Sequence, residues 1–307
     1  MPDLSVDLGR GLCLGSPVMV ASGTFGYGFD AHQVDRGALG AIVSKGTTLE
    51  AREGNAPTRI AETPSGMLNA IGLQNPGVDY VARVYAPRWA TWDVPVIVNV
   101  AGDSVDEYVA VASRLSSVEG VAGLELNISC PNVESGLQFG VDPKMAAEVT
   151  RAVRAVTELP LIVKLTPNVT DIVAIAMAVE DAGADALSAI NTFVGMAIDV
   201  RRRQPILSRG TGGLSGPAIK PLALYAVWQV AAAVRIPVLG GGGIMTAGDA
   251  LEFLLAGAAA VQLGTVNYVR PQAATEIRDG IAAYLVDHDL ADLRALPIRP
   301  VSVLTHA

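Results

Sequence analysis

Five short apolar runs each lead into an amide or an ammonium group. Ala41 to Ser44 is followed by Lys45, Pro95 to Val98 by Asn99, Leu124 to Leu126 by Asn127, Leu161 to Val163 by Lys164, and Leu187 to Ile190 by Asn191. An asparagine amide offers donors and an acceptor together, which suits the edge of a heterocycle. A lysine stabilises an anion, whether a carboxylate or a reduced ring. A single polar residue can simply mark where a strand stops. Five of five, with no Asp, Glu or Ser in their place, weakens that explanation. None of the five is a carboxylate, so the pair that a glycosidase needs is absent.

A second signal lies further along. One apolar run enters Gly240-Gly241-Gly242-Gly243-Ile244 and another enters Gly264-Thr265, each before a helical pattern. Glycines let backbone N–H groups approach an anion, and a helix start adds its dipole; bare turns are the alternative. No Gly-x-Gly-x-x-Gly occurs in the chain, so the dinucleotide fingerprint is missing. One phosphate fits better than two, which points to FMN rather than NAD or FAD.

Cys130 stands in Asn127-Ile-Ser-Cys130-Pro-Asn132, just past the fourth run. A free cysteine is most often a small buried hydrophobe, and Cys13, between Leu12 and Leu14, is read as one. Cys130 is flanked by proline and amides at an active strand end. A thiol there can abstract a proton as thiolate at mildly alkaline pH. The segment Asn69-Ala-Ile-Gly-Leu-Gln-Asn75 either closes over a small polar substrate or is a plain turn.

These residues need a frame that gathers strand ends. Eight apolar runs are spaced along the chain: Pro17–Ala21, Ala41–Ser44, Val94–Val98, Gly123–Leu126, Leu161–Val163, Ala186–Ile190, Ile236–Leu239 and Ala258–Leu263. Between most of them lie amphipathic stretches at Ser104–Leu115, Pro143–Thr157, Thr170–Ala182, Pro217–Ala233 and Thr246–Leu255. Such alternation predicts βαβ units with a parallel sheet. Eight units in 307 residues predict an α/β fold, a (β/α)8 TIM barrel forming a single domain over 1–307. In that fold all C-terminal strand ends share one face, and a phosphate site after strands seven and eight recurs there. Insertions at about Thr47 to Tyr80 and Thr192 to Gly216 break the rhythm. They are placed in the loops of that face, where long loops are usually functional.

Composition removes other classes. The net charge is −8, and the one basic run, Arg201-Arg202-Arg203, reads as a solvated loop rather than a nucleic-acid patch. Mean hydropathy is +0.40, yet runs such as Ile172–Val179 fall far short of the roughly 20 residues that span a bilayer. Residues 1–10 carry acids and lack a signal-peptide core. Two cysteines cannot ligate an iron–sulfur cluster, and with three histidines they show no metal-site spacing. The expectation is a reduced, cytoplasmic protein without a metal, a nucleic-acid partner or a membrane span.

At these residues the chain resembles the dihydroorotate dehydrogenases. The matching stretches are Ala21–Gly26, Ser44–Thr48, Asn69–Asn75, Asn127–Asn132, Val163–Asn168, Asn191-Thr192, Gly213–Pro221 and Gly264-Thr265. They run in order over most of the chain, and the Asn-Ile-Ser-Cys-Pro-Asn block is the most specific. Cysteine at position 130 resembles the soluble class 1 enzymes. Gly213–Pro221 and Asn191–Asp199 resemble subclass 1B, which pairs this subunit with one carrying FAD and a 2Fe-2S cluster and passes electrons to NAD. The resemblance implies a homodimer that forms a heterotetramer with that partner. The alternative is a class 1A-type homodimer that reduces fumarate.

Residue by residue, the resemblance implies oxidation of (S)-dihydroorotate to orotate in de novo pyrimidine (UMP) synthesis. Cys130 takes the C5 proton, and one FMN per chain accepts the C6 hydride at N5. Lys45, Asn69, Asn127, Asn132, Asn191 and Thr192 bind substrate, with the Gly72-Leu73 backbone closing over it. Ser22, Lys45, Gly46, Asn99, Asn127, Lys164 and Ile190 line the flavin, and Lys164 acts in catalysis by stabilising the reduced ring. Gly216, Gly242, Gly243, Gly264 and Thr265 hold the phosphate, with the pair in the glycine run fixed only to within one residue.

Overall fold

The computed structural model describes residues 2–29, 34–129 and 139–296. Eight strands form a closed parallel barrel: β1 Val18–Val20, β2 Ala41–Val43, β3 Val96–Val100, β4 Gly123–Asn127, β5 Leu161–Leu165, β6 Ala186–Ala189, β7 Val238–Gly241 and β8 Ala260–Leu263. Each pairs in parallel with the next, and β8 closes on β1 through Val261 opposite Val18. All eight expected runs are therefore barrel strands. The strands are apolar and buried on both faces, because helices cover the outside and side chains fill the inside.

The helices follow the amphipathic stretches: α1 Val105–Leu115, α2 Pro143–Arg154, α3 Ile172–Asp181, α4 Lys220–Ala233, α5 Ala247–Leu255 and α6 Ala273–Asp287. Their starts have local causes. Ser104, Asp142, Asp171 and Thr246 each accept a hydrogen bond from an otherwise unpaired amide of the first turn. The sequence reading does not place α6 or the helical segment 78–89 that leads into β3.

Two expectations change. Cys13 is exposed rather than buried. It lies in an antiparallel hairpin, Val6–Asp7 with Cys13–Leu14. Alternation there turns Leu12 and Leu14 inward, 5% and 1% exposed, and Cys13 outward. The hairpin covers the N-terminal end of the barrel, where Leu12 approaches the start of β4 at Gly123.

The two insertions are not separate loops. Ile60–Thr63 and Gly66–Asn69 come from the first, and Phe193–Met196 and Thr211–Ser215 from the second. They pair as one antiparallel sheet of four strands, with Leu214 opposite both Phe193 and Leu68. This sheet stands over the C-terminal mouth. The Arg201-Arg202-Arg203 run lies exposed in the turn of a separate hairpin, Ile198–Asp199 with Gln204–Pro205.

Candidate active site

The C-terminal mouth opens into a cavity of about 600 Å³. Every residue predicted for the site lines it except Cys130 and Asn132, which lie outside the described residues. Lys45 stands two residues past β2, and Asn191 two residues past β6. Asn99, Asn127 and Lys164 are inside strands β3, β4 and β5 rather than beyond them. Their strands extend one or two residues further than the apolar runs, because a polar side chain aimed into the lumen does not end a ladder.

The amides are held at set angles. Asn191 donates from Nδ2 to Asn127 Oδ1 at 3.2 Å, and its own Oδ1 accepts from the Thr192 amide at 2.9 Å. Tyr108, fully buried, donates to the Asn127 carbonyl at 2.6 Å. Asn168 donates to the Thr192 carbonyl at 3.0 Å and accepts from Val194 N at 2.9 Å, tying the second insertion to the end of β5. Asn69 donates to the Gly213 carbonyl at 3.3 Å, across the joined insertions. Gly72 has φ +76°, and a Cβ there would lie 2.6 Å from Asn55. Asn55 bonds the carbonyls of both Ala70 and Ile71 at 2.9 Å, so the segment is fixed on the cavity wall rather than turning freely.

The glycine turns form the opposite wall. Gly242 and Gly243 both have positive φ, +132° and +81°. A Cβ on Gly242 would meet Ala223 at 2.6 Å, and one on Gly243 would meet the Gly216 carbonyl at 2.8 Å, so only glycine fits either position. Their amides, with those of Gly264 and Thr265, have no partner among the described residues. Thr265 also donates to Ser215 Oγ at 2.7 Å, which brings an unpredicted hydroxyl to this wall. The helix after β7 starts with a reciprocal box, in which Asp249 accepts from the Met245 and Thr246 amides and Thr246 Oγ1 accepts from the Asp249 amide.

Beneath the cavity lies a carboxylate that the strand-end pattern does not include. Glu125 is fully buried in β4, two residues before Asn127 and therefore on the same, inward face. It accepts from Asn99 Nδ2 at 2.7 Å, Ser188 Oγ at 2.5 Å and Gln262 Nε2 at 2.9 Å. Lys164 Nζ lies 3.9 Å from it. Burying a charge in this way is tolerated only with such partners. The cavity lining itself holds Lys45, Lys164 and Arg209 and no carboxylate among the described residues, which favours an anionic occupant. Burial pushes the Tyr268 hydroxyl above its ordinary range, and it donates to the Gly23 carbonyl at 3.0 Å on the rim.

A flavin mononucleotide fits these groups. Among the described residues Asn99 Oδ1 is a buried acceptor with no partner, and the four amides without a partner there suit a phosphate. Together they give the barrel mouth the groups that a phosphorylated ring beside a small anion would need. The sequence model of the dihydroorotate dehydrogenases matches residues 8–285, and the chain belongs to that family of flavin-dependent oxidoreductases. Among its relatives is the protein named dihydroorotate dehydrogenase B (NAD(+)), catalytic subunit, of Desulforamulus reducens, 57% identical over 96% of this chain and 97% of the relative. Proteins of the same name from Trichlorobacter lovleyi and Porphyromonas gingivalis are 57% and 55% identical, over 96% and 95% of this chain and 97% and 95% of theirs. No helix among the described residues is long and apolar enough to cross a membrane.

Proposed function

We propose that this chain oxidises (S)-dihydroorotate to orotate in pyrimidine synthesis, with residues 1–307 acting as one FMN-binding domain. The observation that carries the reading is a single cavity in which two lysines and several oriented amides adjoin a wall of free glycine amides. FMN, when bound, supplies the hydride acceptor for C6 of the substrate. The chain supplies the rest. Lys45 meets the substrate carboxylate, while Asn69, Asn127, Asn132, Asn191 and Thr192 bond its ring edge, and the Gly72-Leu73 backbone shields it from water. Cys130, as thiolate, removes the C5 proton. Lys164 compensates negative charge that develops on the ring beside it. Ser22, Gly46, Asn99 and Ile190 hold the flavin ring, and Gly216, Gly242, Gly243, Gly264 and Thr265 hold the phosphate.

The names of the relatives support an NAD-linked electron route through a second subunit. In this reading a homodimer of the chain joins two copies of a cytoplasmic partner carrying FAD and a 2Fe-2S cluster. The test is an anaerobic titration of the FMN-loaded chain with dihydroorotate, following the visible flavin band. Bleaching is expected. A yellow protein that does not bleach would refute the substrate, and a chain that cannot be loaded with FMN would refute the reading. The isolated chain should reduce NAD poorly until the partner is added, and fumarate reduction by the chain alone would contradict the partner assignment.

A further inference from the structure

The layer under the cavity sets the hydrogen-bonding polarity of its floor. Glu125, Asn99, Ser188 and Gln262 come from four different strands and are each 4% exposed or less. As a carboxylate, Glu125 only accepts. Asn99 and Gln262 must both turn their NH2 groups down to it, at 2.7 and 2.9 Å. Their oxygens are then the atoms left over. Asn99 Oδ1 is buried without a partner among the described residues, close to Gly46 on the cavity wall. Gln262 also lines the cavity, and its Oε1 accepts nothing among the described residues. An unpaired buried acceptor is costly, and a ligand donor removes that cost.

We infer that Glu125 is a positioning residue that holds both amides with their oxygens toward the flavin, so that the floor offers acceptors to the ligand's N–H or hydroxyl donors. The inference rests on the FMN reading above. It makes a definite demand of an isosteric change. In Glu125→Gln the new amide offers one oxygen and one NH2 where the carboxylate offered two acceptors. One neighbour, Asn99 or Gln262, must then reverse and aim its NH2 at the ligand. Adding Gln262→Glu returns a carboxylate to the layer. The amide introduced at position 125 can then donate to the carboxylate introduced at position 262 and still accept from Asn99.

The experiment measures FMN rebinding to the apo chain by quenching of flavin fluorescence, with the position of the visible band of the bound flavin and a thermal melt. Wild type should bind, and dihydroorotate should bleach it. E125Q should fold but bind FMN at least about tenfold more weakly, with a shifted band. The E125Q/Q262E pair should return to within about threefold of wild type. If wild type does not take up FMN, the functional reading falls and this inference with it. If wild type binds and E125Q binds equally with an unmoved band, the inference alone is overturned. Should E125Q fail to fold, the double variant still decides. Folded protein with near-native affinity supports the inference, and folded protein with tenfold weaker binding overturns it.

Discussion

At the N-terminal end of the barrel, Asp185 accepts from Arg10 Nε at 2.7 Å, Arg154 Nη1 at 2.8 Å and the amide of Leu161 at 2.9 Å. Arg154 goes on to bond the carbonyls of Thr157 and Leu159. At the C-terminal end, Asn99 Oδ1 and four backbone amides have no partner among the described residues. Both ends are polar, and both lie at the limits of the same eight strands. One end spends its polar groups on itself, and the other keeps them for something else. Buried polar groups are normally satisfied, so the unsatisfied end is where a ligand completes the structure. Changes at the mouth should therefore cost chemistry, and changes at the base should cost stability.

The largest effects should come from the residues proposed to carry the chemistry. Cys130→Ser should retain FMN yet slow flavin reduction by dihydroorotate about 100- to 10,000-fold near neutral pH, because a serine hydroxyl is a poorer base. Stopped-flow bleaching measures this, and an undiminished rate would remove Cys130 from the role. Lys164→Ala should lower turnover about 100- to 1,000-fold, the size expected for losing one preorganised cation. A lower reduction potential of the bound flavin should accompany the loss, and an unchanged potential would place Lys164 outside charge stabilisation.

Much of this comparison was legible in the chain before folding. Eight buried parallel strands leave eight apolar runs, and their common C-terminal face makes Lys45, Asn99, Asn127, Lys164 and Asn191 neighbours. Pairing between distant segments was not legible. Asn69 meets Gly213 across 144 residues, and no local period joins the two insertions into one sheet. Glu125 was hidden for a different reason. It sits within an apolar run, and attention to run ends passes over a lumen layer one pleat deeper. Its separation of two residues from Asn127 was the available signal, because alternation puts both on one face. Cys13 was misplaced because flanking leucines suggest burial, whereas in a strand they imply the opposite face for the residue between them. Asp185 and Arg10 gave no sign of each other, 175 residues apart.

The base should show the reverse of the mouth. Asp185→Ala leaves Arg10 and Arg154 without their shared carboxylate and the Leu161 amide without an acceptor. The expected cost is about 3 kcal/mol, the range for breaking a mostly buried ion pair. Denaturant unfolding measures it, and the FMN affinity of the folded fraction should stay within about twofold. A loss of FMN affinity without a loss of stability would dissolve the distinction between the two ends.

The smallest effect sharpens the comparison within the mouth itself. Lys220, at the start of α4, bonds Asp249 at 2.6 Å and Glu252 at 2.9 Å on α5, and it lies so close to Gly243 that a Cβ there would come within 2.9 Å of it. These charges, unlike the glycine amides, are paired, so they belong with the base in kind though not in place. Burial alone would raise the Asp249 pKa, but hydrogen bonds from Lys220, from Thr246 and from the Met245 and Thr246 amides overcome it and hold the carboxyl below its ordinary 3.8. A depressed carboxyl stabilises the fold above its unfolded pKa, and that contribution drains away as pH falls from about 3.8 through the lower folded value. Lys220 is raised above 10.5, mainly by its bonds to Asp249 and Glu252. Its contribution is complete below 10.5 and is lost as pH climbs through the higher folded value. Asp249→Asn should therefore cost roughly 1 kcal/mol at neutral pH, part of it from the weakened cap. It should flatten the acid limb of Tm against pH while leaving flavin reduction unchanged. An acid limb as steep as the wild type's would mean that other carboxyls set it, and that the α4–α5 tie supports the glycine wall by packing rather than by charge.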